Sequence, residues 1–143
     1  MTINLRETRE DDFEGIAALL RDTKLIDPYF SSDKFVKMLA RNSGYCYVAE
    51  DNGKIVGSAF ATHDGAFRGH IQKVAVAQEY RRQGVASRLV ETIVERFEGI
   101  EIPLIFAHAD KTNEASIGLL KSLGFEVRDT HYLIDRGYKP KKL

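Results

Sequence analysis

Apolar and polar residues alternate along INLRET (residues 3–8) with the period of a strand, and the pattern then changes. In DDFEGIAALLRD, Phe13, Ile16, Ala17 and Leu20 fall at helical spacing behind acidic residues that suit a helix start. SSDKFVKMLA offers serine caps followed by Phe35, Met38 and Leu39, the apolar face of a second helix. YCYVAEDNGKIVGSAFAT reads as two strands joined through Asp51, Asn52 and Gly53, a hairpin signal. HDGAFRGH is a turn, and IQKVAVA a fourth strand. VASRLVETIVERF turns Leu89, Ile93, Val94 and Phe97 inward as a third helix, and IPLIFAHA is a fifth strand. NEASIGLLKSLGF carries Ile117, Leu120 and Leu123 on one helical stripe with Gly124 at its stop, and FEVRDTHYLI closes the pattern as a strand. Helices and strands thus interleave without repeats or a linker, which predicts an α/β fold with a mixed sheet.

Composition narrows the class. The chain has 143 residues, 43% of them hydrophobic and 29% charged. That is the size of one domain, and a globule of this length buries roughly 68–70% of its unfolded surface. No segment approaches the ~20 apolar residues of a membrane span. Lys plus Arg and Asp plus Glu both total 21, so the broad basic surface of a non-specific nucleic-acid binder is absent from the composition. The basic tail RGYKPKKL reads as a solvated end. Cys46 is the one cysteine and cannot close a disulfide within the chain, and MTINLRETRE lacks the basic-then-apolar start of a signal peptide. A cytoplasmic protein is expected, with Cys46 as strand filler.

The chemistry concentrates in VAVAQEYRRQGVASRLVE, where an apolar strand meets a helix through a turn of Arg, Gln and Gly. A helix start presents unpaired N–H groups and the positive end of its dipole, which suits an anion such as phosphate. Gly84 and Ala86 are small enough to let an anion reach the amides of Gln83, Gly84, Val85, Ala86 and Ser87, and Arg81 and Arg82 add positive charge. Two solvated arginines on a surface turn are the bland alternative for so short a pattern.

Arg81-Arg82-Gln83-Gly84-Val85-Ala86 resembles the Gln/Arg-x-x-Gly-x-Gly/Ala signature of the GNAT superfamily, the Gcn5-related N-acetyltransferases. Asn113-Glu114-Ala115-Ser116 and Leu123-Gly124-Phe125, a helix and a strand later, resemble its second motif, and the element order is similar along nearly the whole chain. TKLIDPYFSSDKFVKML and DGAFRGHI also resemble a small bacterial and archaeal subgroup of uncharacterised members. The resemblance implies one domain over residues 1–143. Its sheet would be mixed and mostly antiparallel, flanked by four helices, with strands four and five splayed around the pantetheine arm of acetyl-CoA. It assigns Val74, Ala75 and Val76 to that arm, residues 81–87 to the pyrophosphate, and Asn113 with Ser116 to the cofactor's border. It also implies that a strand-four amide polarises the acetyl carbonyl during direct transfer to an amine.

Such a transfer calls for a neutral amine and hence a general base. His70 opens strand four where some members of the family keep a glutamate, and His108 stands on strand five where protein Nα-acetyltransferases of the family keep a base. A histidine titrates near neutral pH. Where many members carry a tyrosine as acid for the departing thiolate, this chain has Leu120, which leaves water or Tyr132. The resemblance places the acceptor between TKLIDPYFSSDK, the turn HDGAFRGH and the last strand, with Asp27, Asp33 and Asp64 as candidate partners for a cationic amine. The expected partners are acetyl-CoA and an amine, either a small molecule or a protein N-terminus, with no metal, nucleic acid or membrane; a homodimer stays open. The alternative is a non-catalytic acyl-CoA-binding module. A nucleotide binder unrelated to CoA is weaker, since no Gly-x-x-x-x-Gly-Lys-Ser/Thr run is present.

Overall fold

The computed structural model describes residues 2–130 and 132–135. Its centre is a five-stranded sheet in the order β1 (Asn4–Glu7), β2 (Tyr47–Asp51), β3 (Lys54–His63), β4 (Arg68–Val76) and β5 (Leu104–Ala107). The first four strands are antiparallel neighbours, and β5 joins β4 in parallel after the crossover helix α3 (Val85–Gly99). Helices α1 (Phe13–Asp22) and α2 (Ser32–Arg41) cover one face, and α3 covers the other. The last helix, α4 (Glu114–Ser122), leans Leu120 and Leu123 on the α3-side core. The mixed, mostly antiparallel architecture with four helices is the one the sequence predicts.

Covering both faces explains why β3 is buried continuously from Val56 to Ala61 instead of alternating. On the α1–α2 face, Ile16, Leu20, Phe35, Cys46, Val48 and Phe60 form one cluster. On the other, Val56, Ala61 and Ile71 meet Leu89, Ile93 and Phe97 of α3. Helix α3 lies so close that a Cβ on Gly69 would come within 2.7 Å of the Phe97 ring. Cys46 is the filler expected: burial pushes its thiol up to about 11, so it stays protonated.

Local signals read from sequence reappear as geometry. Asn52 and Gly53 both adopt positive φ, 49° and 82°, as a two-residue hairpin turn of type I′ requires. Ser31 caps α2 by accepting a hydrogen bond from the Lys34 amide at 3.3 Å. The turn before β4 is shorter than HDGAFRGH, because Asp64 Oδ1 accepts from the amides of Ala66, Phe67 and Arg68 and starts the strand at Arg68. Gly69 and His70 therefore lie inside β4.

One expectation fails. Among the described residues no strand follows β5: residues 125–130 and 132–135 run without a ladder, and Tyr132 and Ile134 are 93% and 87% exposed. Alternation gives a segment strand character, but a strand exists only through pairing, and β5 offers just four residues to pair with. His131 and the tail RGYKPKKL lie outside the described residues.

The start of α1 is fixed by charge. The Asp12 carboxylate receives both terminal nitrogens of Arg6 at 2.8 Å and the Arg9 amide at 2.7 Å, and Arg6 also reaches Glu50 at 3.2 Å. Burial alone raises the Asp12 pKa, but the bonds from Arg6 and Arg9 outweigh it and hold the carboxyl below its ordinary value. Asp12→Asn is expected to destabilise the fold by about 2 kcal/mol, the scale of a charged hydrogen bond lost. A carboxyl with a depressed folded pKa contributes stability above its unfolded value, 3.8, and loses it as the pH falls through the folded value. Denaturant unfolding of parent and variant should therefore differ at pH 7 and draw together only as the pH falls below 3.8.

Candidate active site

Four features meet where β4 leaves β5. The first is a bulge. Ser58 pairs with Ala75 and Phe60 with Gln72, so Lys73 and Val74 together oppose Ala59. Lys73 sits at φ 54°, a left-handed conformation that costs a non-glycine residue about 1–2 kcal/mol and persists only when its surroundings over-determine it. They do so from three directions. The fully buried Ser58 donates its hydroxyl to the Lys73 carbonyl at 2.9 Å, while the Lys73 ammonium donates to the Leu25 carbonyl at 2.8 Å and pairs with Asp27 at 3.0 Å. Beside this bulge β5 ends. It pairs only with Arg68–Ile71, and from Gln72 to Val76 the outer edge of β4 has no ladder partner among the described residues. Val74, Ala75 and Val76 are thus on the splayed stretch.

The second feature is the junction with α3. Gly84 takes φ 77° as the residue preceding the helix, and Arg82, two residues earlier, is also left-handed at φ 63°. No side chain caps the helix, and the first amide with a backbone acceptor there is that of Arg88, which donates to the Gly84 carbonyl. Among the described residues the amides from Arg82 to Ser87 have no hydrogen-bond acceptor, and the space above Gly84 is open. Six consecutive unpaired donors at the positive end of a fifteen-residue helix suit the oxygens of a phosphate group. Arg81 is partly committed, donating from Nε to the Val76 carbonyl at 3.1 Å, and Gln83 reaches the Glu79 carbonyl at 3.3 Å. Both side chains brace the turn.

The third is a pair of histidines. His70 opposes Phe106 across β4 and β5 and stacks on its ring, with centroids 5.0 Å apart. His108, just past the end of β5, approaches edge-on and brings Nδ1 within 3.2 Å of His70 Nε2. One nitrogen donates and the other accepts, so the pair holds a proton between two rings. Burial first, and the charge of His108 second, lower the His70 pKa, which favours the neutral ring at pH 7.

The fourth is a cavity of about 300 Å³ between the α1–α2 connection and β4, with Gln72 and Lys73 in its wall. Ile71 is buried against α3, so His70 and Gln72 point to the opposite, α1–α2 side, about 7 Å apart along the strand.

The residues singled out from sequence do not all converge. Asn113 caps α4, its Oδ1 accepting from the Ser116 amide at 3.2 Å, which accounts for both residues structurally. Leu120 packs in the core, and Tyr132 stands on the unpaired C-terminal stretch. Asp64 is consumed by its turn, its carboxyl drawn down to about 2 chiefly by the Ala66 amide. Sequence reasoning missed Ser58 and Lys73, the residues that make the bulge. Their signal was a hydroxyl and an ammonium inside otherwise apolar strand runs.

These features define an acyltransferase-type fold, and comparison with known proteins agrees. The sequence model of the acetyltransferase (GNAT) family matches residues 4–125, and the chain belongs to that family. An acetyltransferase of Pectobacterium atrosepticum is 29% identical over 128 residues, which cover 89% of this chain and 90% of the relative. Among solved structures, Ard1 from Thermoplasma volcanium superposes with a TM-score of 0.79 at 20% identity, covering 90% of this chain and 85% of that one. Arabidopsis thaliana Naa50 in complex with the bisubstrate analogue CoA-Ac-MVNAL gives 0.73 at 22% identity, covering 90% and 86%. At these identities the solved structures attest the fold. Among the described residues no helix is long and apolar enough to cross a membrane, and no group of three or more His, Cys, Asp or Glu could hold a metal ion.

Ser58→Ala tests the bulge. Removing the hydroxyl leaves the Lys73 carbonyl without that donor, so thermal or urea unfolding should register a loss of about 1–3 kcal/mol. Ser58→Thr, which keeps the hydroxyl but adds a methyl in a filled core, separates the hydrogen bond from packing.

Proposed function

We propose that residues 1–143 form one N-acetyltransferase domain that moves an acetyl group from acetyl-CoA directly to a primary amine, acting in the cytoplasm. The observation that carries this reading is the run of unpaired amides from Arg82 to Ser87, standing at the end of a β4 edge that β5 leaves free. A cofactor with a pyrophosphate and an extended amide-bearing arm needs those two surfaces in that order. Acetyl-CoA supplies the acetyl group as an activated thioester.

The remaining chemistry belongs to side chains and amides of this chain. Residues 81–87 hold the pyrophosphate, and along Val74, Ala75 and Val76 the arm bonds to the outward backbone of Val74 and Val76, with Ala75 between them turned to β3. One of these strand amides stabilises the negative charge that develops on the acetyl oxygen, at no cost in reorganisation because the bulge has already fixed its direction. Asn113 borders the cofactor through its amide nitrogen, since its oxygen is held by Ser116. The amine attacks the thioester carbonyl as the C–S bond breaks. His70 accepts the amine's proton, directly or through water, and passes charge to His108 across their 3.2 Å contact. The departing thiolate takes its proton from water, because Leu120 carries none.

Leu120 also favours a second reading, a non-catalytic acyl-CoA-binding module. Release of free thiol from acetyl-CoA in the presence of amines separates the two, because the module binds without release.

Two substitutions probe the assignment. Gly84→Glu puts a carboxylate over the unpaired amides, so calorimetry should show acetyl-CoA affinity falling by about tenfold or more, equivalent to ~1.4 kcal/mol. Gly84→Asn, which tolerates the left-handed backbone without adding charge, should retain far more affinity. Unchanged affinity in a folded Gly84→Glu protein means the turn binds nothing.

His70→Gln should reduce turnover by ~100- to 10,000-fold, the usual range for general base catalysis, while acetyl-CoA affinity stays at the parent value. His108→Gln should cost less, since it acts through His70. The working form of His70 is the neutral ring and its pKa lies below the ordinary 6.5, so turnover in the parent holds level down through pH 6.5 and declines only at lower pH. A loss of only a few-fold in both variants across pH 6–9 excludes histidine base catalysis and leaves positioning to explain the rate.

A further inference from the structure

We propose that the acceptor is a monoamine with a bulky apolar group next to its nitrogen, seated in the cavity between the α1–α2 connection and β4; this rests on the acetyl-transfer reading above. The cavity is the size of a small-ligand site, at about 300 Å³, and its floor is aromatic. Phe30, Phe35, Met38 and Phe60 line it. Phe30 stacks on Phe13 at 5.2 Å and meets Phe35 at 6.0 Å, and Phe35 meets Phe60 at 6.1 Å. Phe35 and Phe60 are buried and close-packed, so this floor is part of the α1–α2 side core.

Charge decides the class. Among the described residues three charged side chains line the cavity, those of Asp27, Lys34 and Lys73. The Asp27 carboxylate is already committed, with Oδ2 on the Lys73 ammonium at 3.0 Å and Oδ1 on the Tyr29 amide at 2.9 Å. Burial raises its pKa, but the Lys73 and Tyr29 bonds prevail and hold it ionised as half of a pair. Lys73 is equally committed, to Asp27 and to the Leu25 carbonyl. What remains is Lys34, an exposed cation at the rim. Asp33 and Asp64, the other acids considered for the acceptor, do not line the cavity. The cavity therefore lacks an unpaired carboxylate to hold a second ammonium, and its net charge repels a polycation. An apolar body gains from burial against the phenylalanines whatever its length of chain beyond. Gln72 lines the cavity at the start of the free strand edge, and His70 stands two residues before it on the same face of β4, so a nitrogen held at the Gln72 wall is on the side of the base.

The shared chemistry, an amine beside an apolar group, can come from a small aralkylamine or from a peptide whose first side chain is large and apolar. The test measures acetyl-CoA affinity by calorimetry, then thiol release with phenethylamine, with short peptides starting in Phe, Met or Ser, and with spermine. Phenethylamine or the Phe and Met peptides should exceed both the Ser peptide and spermine in kcat/KM by roughly tenfold or more. The two sources are told apart by which of them is preferred. Phe30→Ala should raise KM for the preferred amine by roughly tenfold with acetyl-CoA affinity unchanged. Lys34→Glu, on an exposed position that the fold does not need, should improve spermine relative to phenethylamine even if Phe30→Ala fails to fold. Spermine or the Ser peptide as the best acceptor overturns the proposal while leaving acetyl transfer standing. So does an unchanged KM in folded Phe30→Ala, or acetyl-CoA binding with no thiol release from any of these amines. Absence of acetyl-CoA binding overturns the functional reading itself.

Discussion

The rest of the site depends on the bulge at Lys73. An uninterrupted β4 would continue its ladder with a longer β5, and every amide along it would be satisfied inside the protein. One extra residue in β4, held left-handed, turns the strand away and leaves the stretch from Gln72 to Val76 with an open edge. An open edge is a liability in most sheets, because it pairs with other chains. Here it lies at the rim of a cavity and next to a helix start that also lacks hydrogen-bond partners among the described residues, so the proposed function gives it a ligand, the extended, amide-bearing arm of acetyl-CoA.

The strain is balanced by three weak contacts instead of one strong one. Ser58, Leu25 and Asp27 each reach Lys73, and the last two belong to the α1–α2 connection. The same contacts that stabilise the bulge therefore fix the wall of the cavity, and the same ion pair leaves Lys34 as the uncompensated charge among its described lining residues. Cavity and strand edge are in this way mechanically linked through one side chain. His70 lies three residues before Lys73 on β4, so the histidine pair and the open edge are placed by the same piece of strand.

Much of this was legible in the sequence. Period changes located the helices and the five strands of the sheet, Asn52-Gly53 announced a turn that needs two positive φ angles, and Arg81 to Ala86 marked the turn where the unpaired amides stand. These signals are local, and local chemistry decides them. The bulge was not legible, since whether Lys73 faces solvent or turns left-handed depends on Ser58, fifteen residues away in sequence, and on a helix connection still further off. The histidines were found singly, as residues of suitable chemistry, but their contact is a product of parallel β4–β5 pairing and could not be read from spacing. FEVRDTHYLI misled for the converse reason. Its alternation is genuine, yet a ladder needs a partner strand, and none of the described residues supplies one.

The central claim is that the amides at the free edge of β4 and at the start of α3 are held open for a CoA thioester. Residue-resolved amide hydrogen exchange tests it most directly, with the protein alone, with saturating acetyl-CoA and with ATP. Unpaired amides exchange quickly until a ligand accepts from them. The expected result is that Val74, Val76 and residues 82–87 exchange fast in the free protein and become protected together by acetyl-CoA, whereas ATP leaves Val74 and Val76 unprotected because it lacks the pantetheine arm; the Ala75 amide, which faces β3, is protected throughout. Protection of those amides without ligand, or no change in either stretch with acetyl-CoA bound, contradicts the claim.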